Sequence, residues 1–131
     1  MTILQGIHLC CGYPDKLDTD EYLKAPKTNY NRLAPKIDSL GFDEVSIENA
    51  EANNDLSLLS LFQHTKVILG AVTVARTRVE TEEEVVSKVR EALKFIPAER
   101  LILAPDCGLG MLPVNIIKQK LQIMVKVAKQ F

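Results

Sequence analysis

The sequence predicts an α/β fold of four parallel βα units. Apolar runs of strand length recur four times, each is followed by a stretch of helical spacing, and one run, residues 66–74 (KVILGAVTV), is apolar nearly throughout. A run without alternation fits a strand buried on both faces, as parallel strands are. Strand and helix repeated in this order demand parallel strands with right-handed crossovers. With 131 residues the chain is expected to form a single domain, residues 1–131, with a core of its own.

Residues 2–11 read as the first strand, with His8 and Cys10 on one face and Ile7, Leu9 and Cys11 on the other. Residues 13–28 hold two prolines and mixed charges, which suits a long surface loop or lid. Leu33, Ile37 and Leu40 recur at helical spacing and stop at Gly41, with Pro35 confining or bending the first turn. Residues 42–48 alternate Val45 and Ile47 against Ser46 and Glu48, which sets Glu48 at the strand's C-terminal end. Asp55 is placed to cap a helix carrying Leu58, Leu59, Leu61 and Phe62.

After the apolar strand, Thr81 and Glu84 form a capping-box pair, and Val85, Val89, Ala92, Leu93 and Ile96 share a helix face that ends before Pro97. Residues 100–107 are the fourth strand and its exit loop. Pro113 opens a last helix whose Ile116, Ile117, Leu121, Met124, Val125 and Ala128 form a stripe opposite Lys118, Lys120, Lys126 and Lys129.

Composition narrows the function classes. The chain is 47% hydrophobic and 25% charged with a formal net charge of −1, so it carries no electrostatic footprint for nucleic acid. No apolar run approaches membrane-spanning length and the N-terminus lacks a basic region before an apolar one, so no membrane association and a cytoplasmic location are expected. Three cysteines, two of them adjacent, make a poor disulfide framework and a better set of reduced ligands or nucleophiles.

In parallel α/β folds the chemistry gathers where strands end. His8, Cys10, Glu48 and Cys107 all fall at the C-terminal ends of expected strands. One imidazole, two thiols and one carboxylate form a zinc donor set, rich enough in negative charge to keep an incoming thiol nucleophilic. Each donor also has a plainer reading. Cys107 at a strand end suits packing, His8 a half-buried imidazole, and Glu48 a solvated or capping carboxylate. Cys11 reads as packing and His64 as solvent-facing.

The residues that carry the zinc reading also resemble the catalytic barrel of cobalamin-independent methionine synthases. The resemblance rests on His8-Leu9-Cys10 followed by Gly12, on Ser46-Ile47-Glu48-Asn49 followed by Asp55-Leu56 and Leu58-Leu59, on residues 70–78, and above all on Pro105-Asp106-Cys107-Gly108-Leu109. It implies that the four βα units are half of a (β/α)8 TIM barrel, the second half, with residues 13–28 an inserted loop. It implies Zn2+ on His8, Cys10, Glu48 and Cys107, with homocysteine or another small thiol as methyl acceptor and a methylated folate or other compound as donor. The family's folate-binding domain and first barrel strands have no counterpart in these residues. Where the family has a proton-donating histidine this chain has Ala75, which points away from folate and toward another methyl donor.

A half barrel would expose strand edges and one sheet face, so self-association or a partner half-barrel is expected. Two other readings stay open: a non-catalytic zinc-binding module or assembly half, and a thiol redox protein using Cys10 and Cys11. Adjacent cysteines on opposed faces pair poorly.

Overall fold

A computed structural model describes residues 3–131, so the expected strand start at Thr2 lies outside the described residues. Four strands, β1 (Gly6–Leu9), β2 (Glu44–Ile47), β3 (Lys66–Val72) and β4 (Leu101–Pro105), form one sheet in the order β1-β2-β3-β4. All three neighbouring pairs are parallel. Helix α1 (Thr28–Ser39) connects β1 to β2, a 3-10 segment (Leu56–Leu61) connects β2 to β3, α2 (Glu82–Ala92) connects β3 to β4, and α3 (Val114–Ala128) follows β4. The four parallel βα units expected from the sequence are therefore present.

One sheet face carries the core. Val45, Ile47, Val67 and Leu69 pack with Tyr30, Ala34 and Ile37 of α1 and with Leu58, Leu59 and Phe62. Each fully buried side chain of this size contributes about 1.5–3 kcal/mol over its exposed state. Farther along the sheet, Ala71 and Val72 meet Val85 and Val89 of α2 and Val127 of α3. The other face, bearing His8, Ser46, Ile68 and Ile102, is half-buried or exposed.

The local signals mostly act as expected. Thr81 accepts from the Glu84 N–H while the Glu84 side chain accepts from the Thr81 N–H, closing the capping box of α2. Gly41 takes φ +82° just past the C-cap of α1, a conformation in which a side chain would be strained. Pro35 lies inside α1, which runs through it.

Four expectations are corrected. The strands are shorter, and β1 covers only Gly6–Leu9. The Asp55-capped helix is a single 3-10 segment, because Phe62 turns extended and Asp38 takes the next three N–H groups, those of Gln63, His64 and Thr65. Strand β3 stops at Val72, since the Thr73 N–H turns to Glu80. Lys120, expected on the polar face of α3, is fully buried; the helix turns it inward with Val127 to meet Glu80, the buried carboxylate at the exit of β3. No helix among the described residues is long and apolar enough to cross a membrane.

Candidate metal centre

At the C-terminal end of the sheet the exits of β1 and β4 come together. One ligand atom each from His8, Cys10 and Cys107 lies within 4.8 Å of the others. His8 and Cys10 arrive there because alternation along β1 puts them on the same, helix-free face. Cys11 goes to the other side and packs against the core. His8 Nδ1 lies 3.0 Å from Ser46 Oγ on β2, which leaves Nε2 as the free ring nitrogen. Cys10 and His8 are exposed and Cys107 is half-buried, and all three cysteines are free thiols.

Glu48 occupies the exit of β2 but does not belong to the three-donor cluster. It is fully buried, and both of its oxygens are engaged. Oε1 accepts from the Cys11 N–H at 2.5 Å and from the Tyr30 hydroxyl at 3.4 Å, while Oε2 accepts from Lys24 Nζ at 2.6 Å. Burial by itself would raise the Glu48 pKa; the Lys24 ammonium and the Cys11 N–H outweigh it and hold the carboxyl below its ordinary range. The same burial pushes the Tyr30 hydroxyl and the Cys11 thiol up.

Asp106, the residue before Cys107, ties these exits together. Its fully buried carboxylate accepts the N–H groups of Asn49, Ala50 and Glu51, each at 2.8 Å, immediately after Glu48. The fit needs Gly70 on the intervening strand, where a Cβ would lie 1.9 Å from Asp106 Oδ1. Cys107 and Glu48 are thus each one residue from a shared brace.

Residues 13–27 form a strap without helix or strand over this end of the sheet. Asp18 accepts from the N–H and hydroxyl of Thr77, its own N–H donates to the Ala75 carbonyl, and Asp20 pairs with Arg76. Arg76 also pairs with Glu51, which accepts from the Tyr22 hydroxyl. Under the strap the Tyr13 hydroxyl is buried and meets no hydrogen-bond partner among the described residues. Burial and the nearby Asp106 carboxylate push its pKa up.

Reading the sequence missed Lys24, Tyr13, Tyr30 and Asp106 around the site. Only Asp106 left a signal, as an acidic residue between a proline and the loop cysteine. Lys24 was one charge among many in a loop.

The three clustered donors fit zinc. Tetrahedral bonds of zinc length put ligand atoms about 3.3–3.8 Å apart, which donors already within 4.8 Å reach by small side-chain adjustments. Soft thiolates with an imidazole also select zinc over hard-cation chemistry.

A family model described as the catalytic domain of cobalamin-independent synthase matches residues 15–130. The chain belongs to this family. The matched span contains Glu48, Asp106 and Cys107, while His8 and Cys10 precede it. Among relatives, a methionine synthase of Thermococcus kodakarensis is 39% identical over 100 residues, 76% of this chain and 30% of that protein. A 5-methyltetrahydropteroyltriglutamate–homocysteine methyltransferase of Actinobacillus pleuropneumoniae is 34% identical over 119 residues, 88% of this chain and 16% of that protein. A structure of a B12-independent methionine synthase from a Shewanella species, in complex with selenomethionine, superposes with a TM-score of 0.80 at 26% identity. That match covers 99% of this chain and 39% of the Shewanella chain. The four parallel units accordingly correspond to half of a (β/α)8 barrel, and the chain spans less than a third of the two curated relatives' length.

Proposed function

We propose that the chain is the zinc-binding half of a methionine-synthase-like thiol S-methyltransferase, with homocysteine or a similar small thiol as methyl acceptor. The carrying observation is the convergence of His8, Cys10 and Cys107 at the strand exits; the proposal adds Glu48, at the exit of β2 and now paired with Lys24, as the fourth donor. Zinc bound there lowers the pKa of an added thiol, while the anionic donors keep its sulfur nucleophilic.

The chain's own residues prepare that chemistry. Ser46 engages the His8 ring at Nδ1 and so leaves Nε2 as the nitrogen open to a metal. Asp106 braces the backbone beside Glu48 and beside Cys107, which limits drift between two donors far apart in sequence. Residues 13–28 act as an inserted lid, keeping water from the buried side of Glu48. Ala75 offers no proton to a departing donor, which favours a methyl donor other than folate. Free thiols suit a reducing compartment such as the cytoplasm. The half-exposed sheet face and the outer edges of β1 and β4 suit completion by further βα units, from elsewhere in the polypeptide, a partner half-barrel or a second copy.

A non-catalytic zinc module is the second reading, favoured by the alanine at position 75. One experiment separates the two. The purified chain should take up one zinc, with sulfur and nitrogen neighbours in its absorption fine structure. Homocysteine should then release a proton and add a sulfur to the metal shell. Zinc uptake without a response to homocysteine leaves the module, and no zinc uptake removes both readings.

A further inference from the structure

We infer that Lys24 is a resident counter-ion of the candidate metal centre, paired with Glu48 in a contact that a metal ion must displace before this carboxylate can join His8, Cys10 and Cys107. The inference rests on the zinc reading above and deepens it by naming what competes for the site.

Glu48 is buried without any exposed surface, so its charge needs a partner. One oxygen faces the Cys11 backbone N–H, which belongs to the exit of β1 and has little freedom to leave. The other faces the Lys24 ammonium at 2.6 Å. The Lys24 side chain is 23% exposed, and its ammonium donates no other hydrogen bond among the described contacts. Its remaining surroundings are aromatic faces, with the ring centres of Tyr13 and Tyr22 at 4.6 and 5.7 Å. Such faces attract a cation but offer the ammonium no acceptor atom.

The strap does not depend on this contact. Asp18 with Thr77, Asp20 with Arg76, the Ala25 N–H on the Cys11 carbonyl, and Lys27 on the Ala52 and Asn53 carbonyls fix it on both sides of Lys24. The lysine side chain can therefore swing outward through its exposed side while the strap stays seated. An ammonium and a divalent cation cannot both neutralise the same oxygen, and either one removed without the other leaves a buried uncompensated charge. Linkage then makes the two mutually weakening: the ammonium lowers metal affinity by the factor by which the metal loosens the ammonium. Lys24 keeps Glu48 in place before loading and sets a threshold that only a tightly bound metal exceeds.

Two measurements test this. Chelator competition on the full chain should show Lys24→Met binding zinc about tenfold or more tightly than the wild type, because its carboxylate has lost the competing cation. The metal-free variant should melt below the metal-free wild type, with the zinc-loaded forms alike. Equal zinc affinities overturn the inference and leave the zinc reading intact; failure of both proteins to bind zinc overturns both. The second measurement needs no variant. Amine acylation of the wild-type chain, read by peptide mass and normalised to exposed Lys118, should label Lys24 several-fold faster once zinc is added. Labelling of Lys24 that zinc leaves unchanged overturns the inference even if Lys24→Met fails to fold.

Discussion

Two buried glutamates, each paired with a lysine, behave as different objects in this chain. Glu80 is 5% exposed, and its partner Lys120 is fully buried on α3, giving hydrogen bonds to Glu80 Oε2, Thr73 Oγ1 and the Arg78 carbonyl. Glu80 Oε1 in turn accepts from the N–H and hydroxyl of Thr73. Every charge there is saturated; Lys120 sits on α3, and Glu80 directly precedes Thr81, the N-cap of α2. Glu48 is as buried, but its lysine hangs from a strap and has one acceptor. Saturation makes the first pair a fixture of the fold, whereas the unsaturated second pair can exchange its cation.

Removing the cation is the sharpest way to break that contrast. Lys120→Met should cost about 3–5 kcal/mol in chemical denaturation, because Glu80 stays behind as an uncompensated buried charge. Lys24→Met should cost less, since Glu48 keeps the Cys11 N–H and its lysine was already part-exposed. Equal losses would show that the two pairs are of one kind.

The brace behind Glu48 is the next point of attack. Gly70→Ala would put a Cβ 1.9 Å from Asp106 Oδ1, 2.9 Å from the Asn49 nitrogen and 3.0 Å from Asp106 Cα. Two of those three atoms are backbone, so the neighbours cannot give way cheaply. Overpacking of this sort should cost about 2–3 kcal/mol in unfolding, and zinc affinity should fall with it, because the loops carrying Glu48 and Cys107 part. A Gly70→Ala chain with wild-type zinc binding would show that Asp106 does not hold the donors.

A third buried carboxylate, Asp38, pairs with no cation among the described residues and calibrates the other two. Burial would raise Asp38, but the N–H groups of Thr65, His64 and Gln63 outweigh it and hold the carboxyl at about 2, below the ordinary 3.8. A folded-state pKa below the unfolded one contributes stability above the unfolded value that is lost as pH falls through the folded one. Asp38→Asn should therefore cost about 2 kcal/mol near neutral pH, and the gap to wild type should close between about pH 4 and pH 2 in acid-unfolding curves. A gap that persists at pH 2 would assign the loss to packing.

How much of this was legible depends on whether a residue's role follows from its neighbours in sequence. His8 and Cys10 were readable as a pair because alternation along one strand fixes their shared face. The capping box at Thr81 and the turn at Gly41 were readable for the same reason, being local. The convergence of Cys107 on His8 followed from topology, since parallel strands end on one side. Lys120 was misplaced because periodicity along α3 cannot see Glu80, forty residues earlier, waiting for a cation. Lys24 was invisible as a partner because loop contacts obey no period, and Asp106 showed only as part of the motif before Cys107, with no sign of the backbone it braces. Strand-end topology offered all four donors and the resemblance implied the same four; the geometry brings three of them together and holds Glu48 in a pairing with Lys24.

The smallest effect separates the donor side of the site from its counter-ion side. Ser46 Oγ touches His8 Nδ1 at 3.0 Å near the surface, so Ser46→Ala opens no large cavity and should leave stability within about 0.5 kcal/mol of wild type. Its effect belongs to the metal: a ligating imidazole whose second nitrogen loses its partner loses orientation and basicity, and affinity should drop by about tenfold. Lys24→Met moves affinity the other way through Glu48. Because the two substitutions act on different ligands, the double variant should return near the wild-type value in the same chelator titration. A double variant as weak as Ser46→Ala alone would mean that Glu48 never joins the metal, and that Lys24 is as fixed a partner as Lys120.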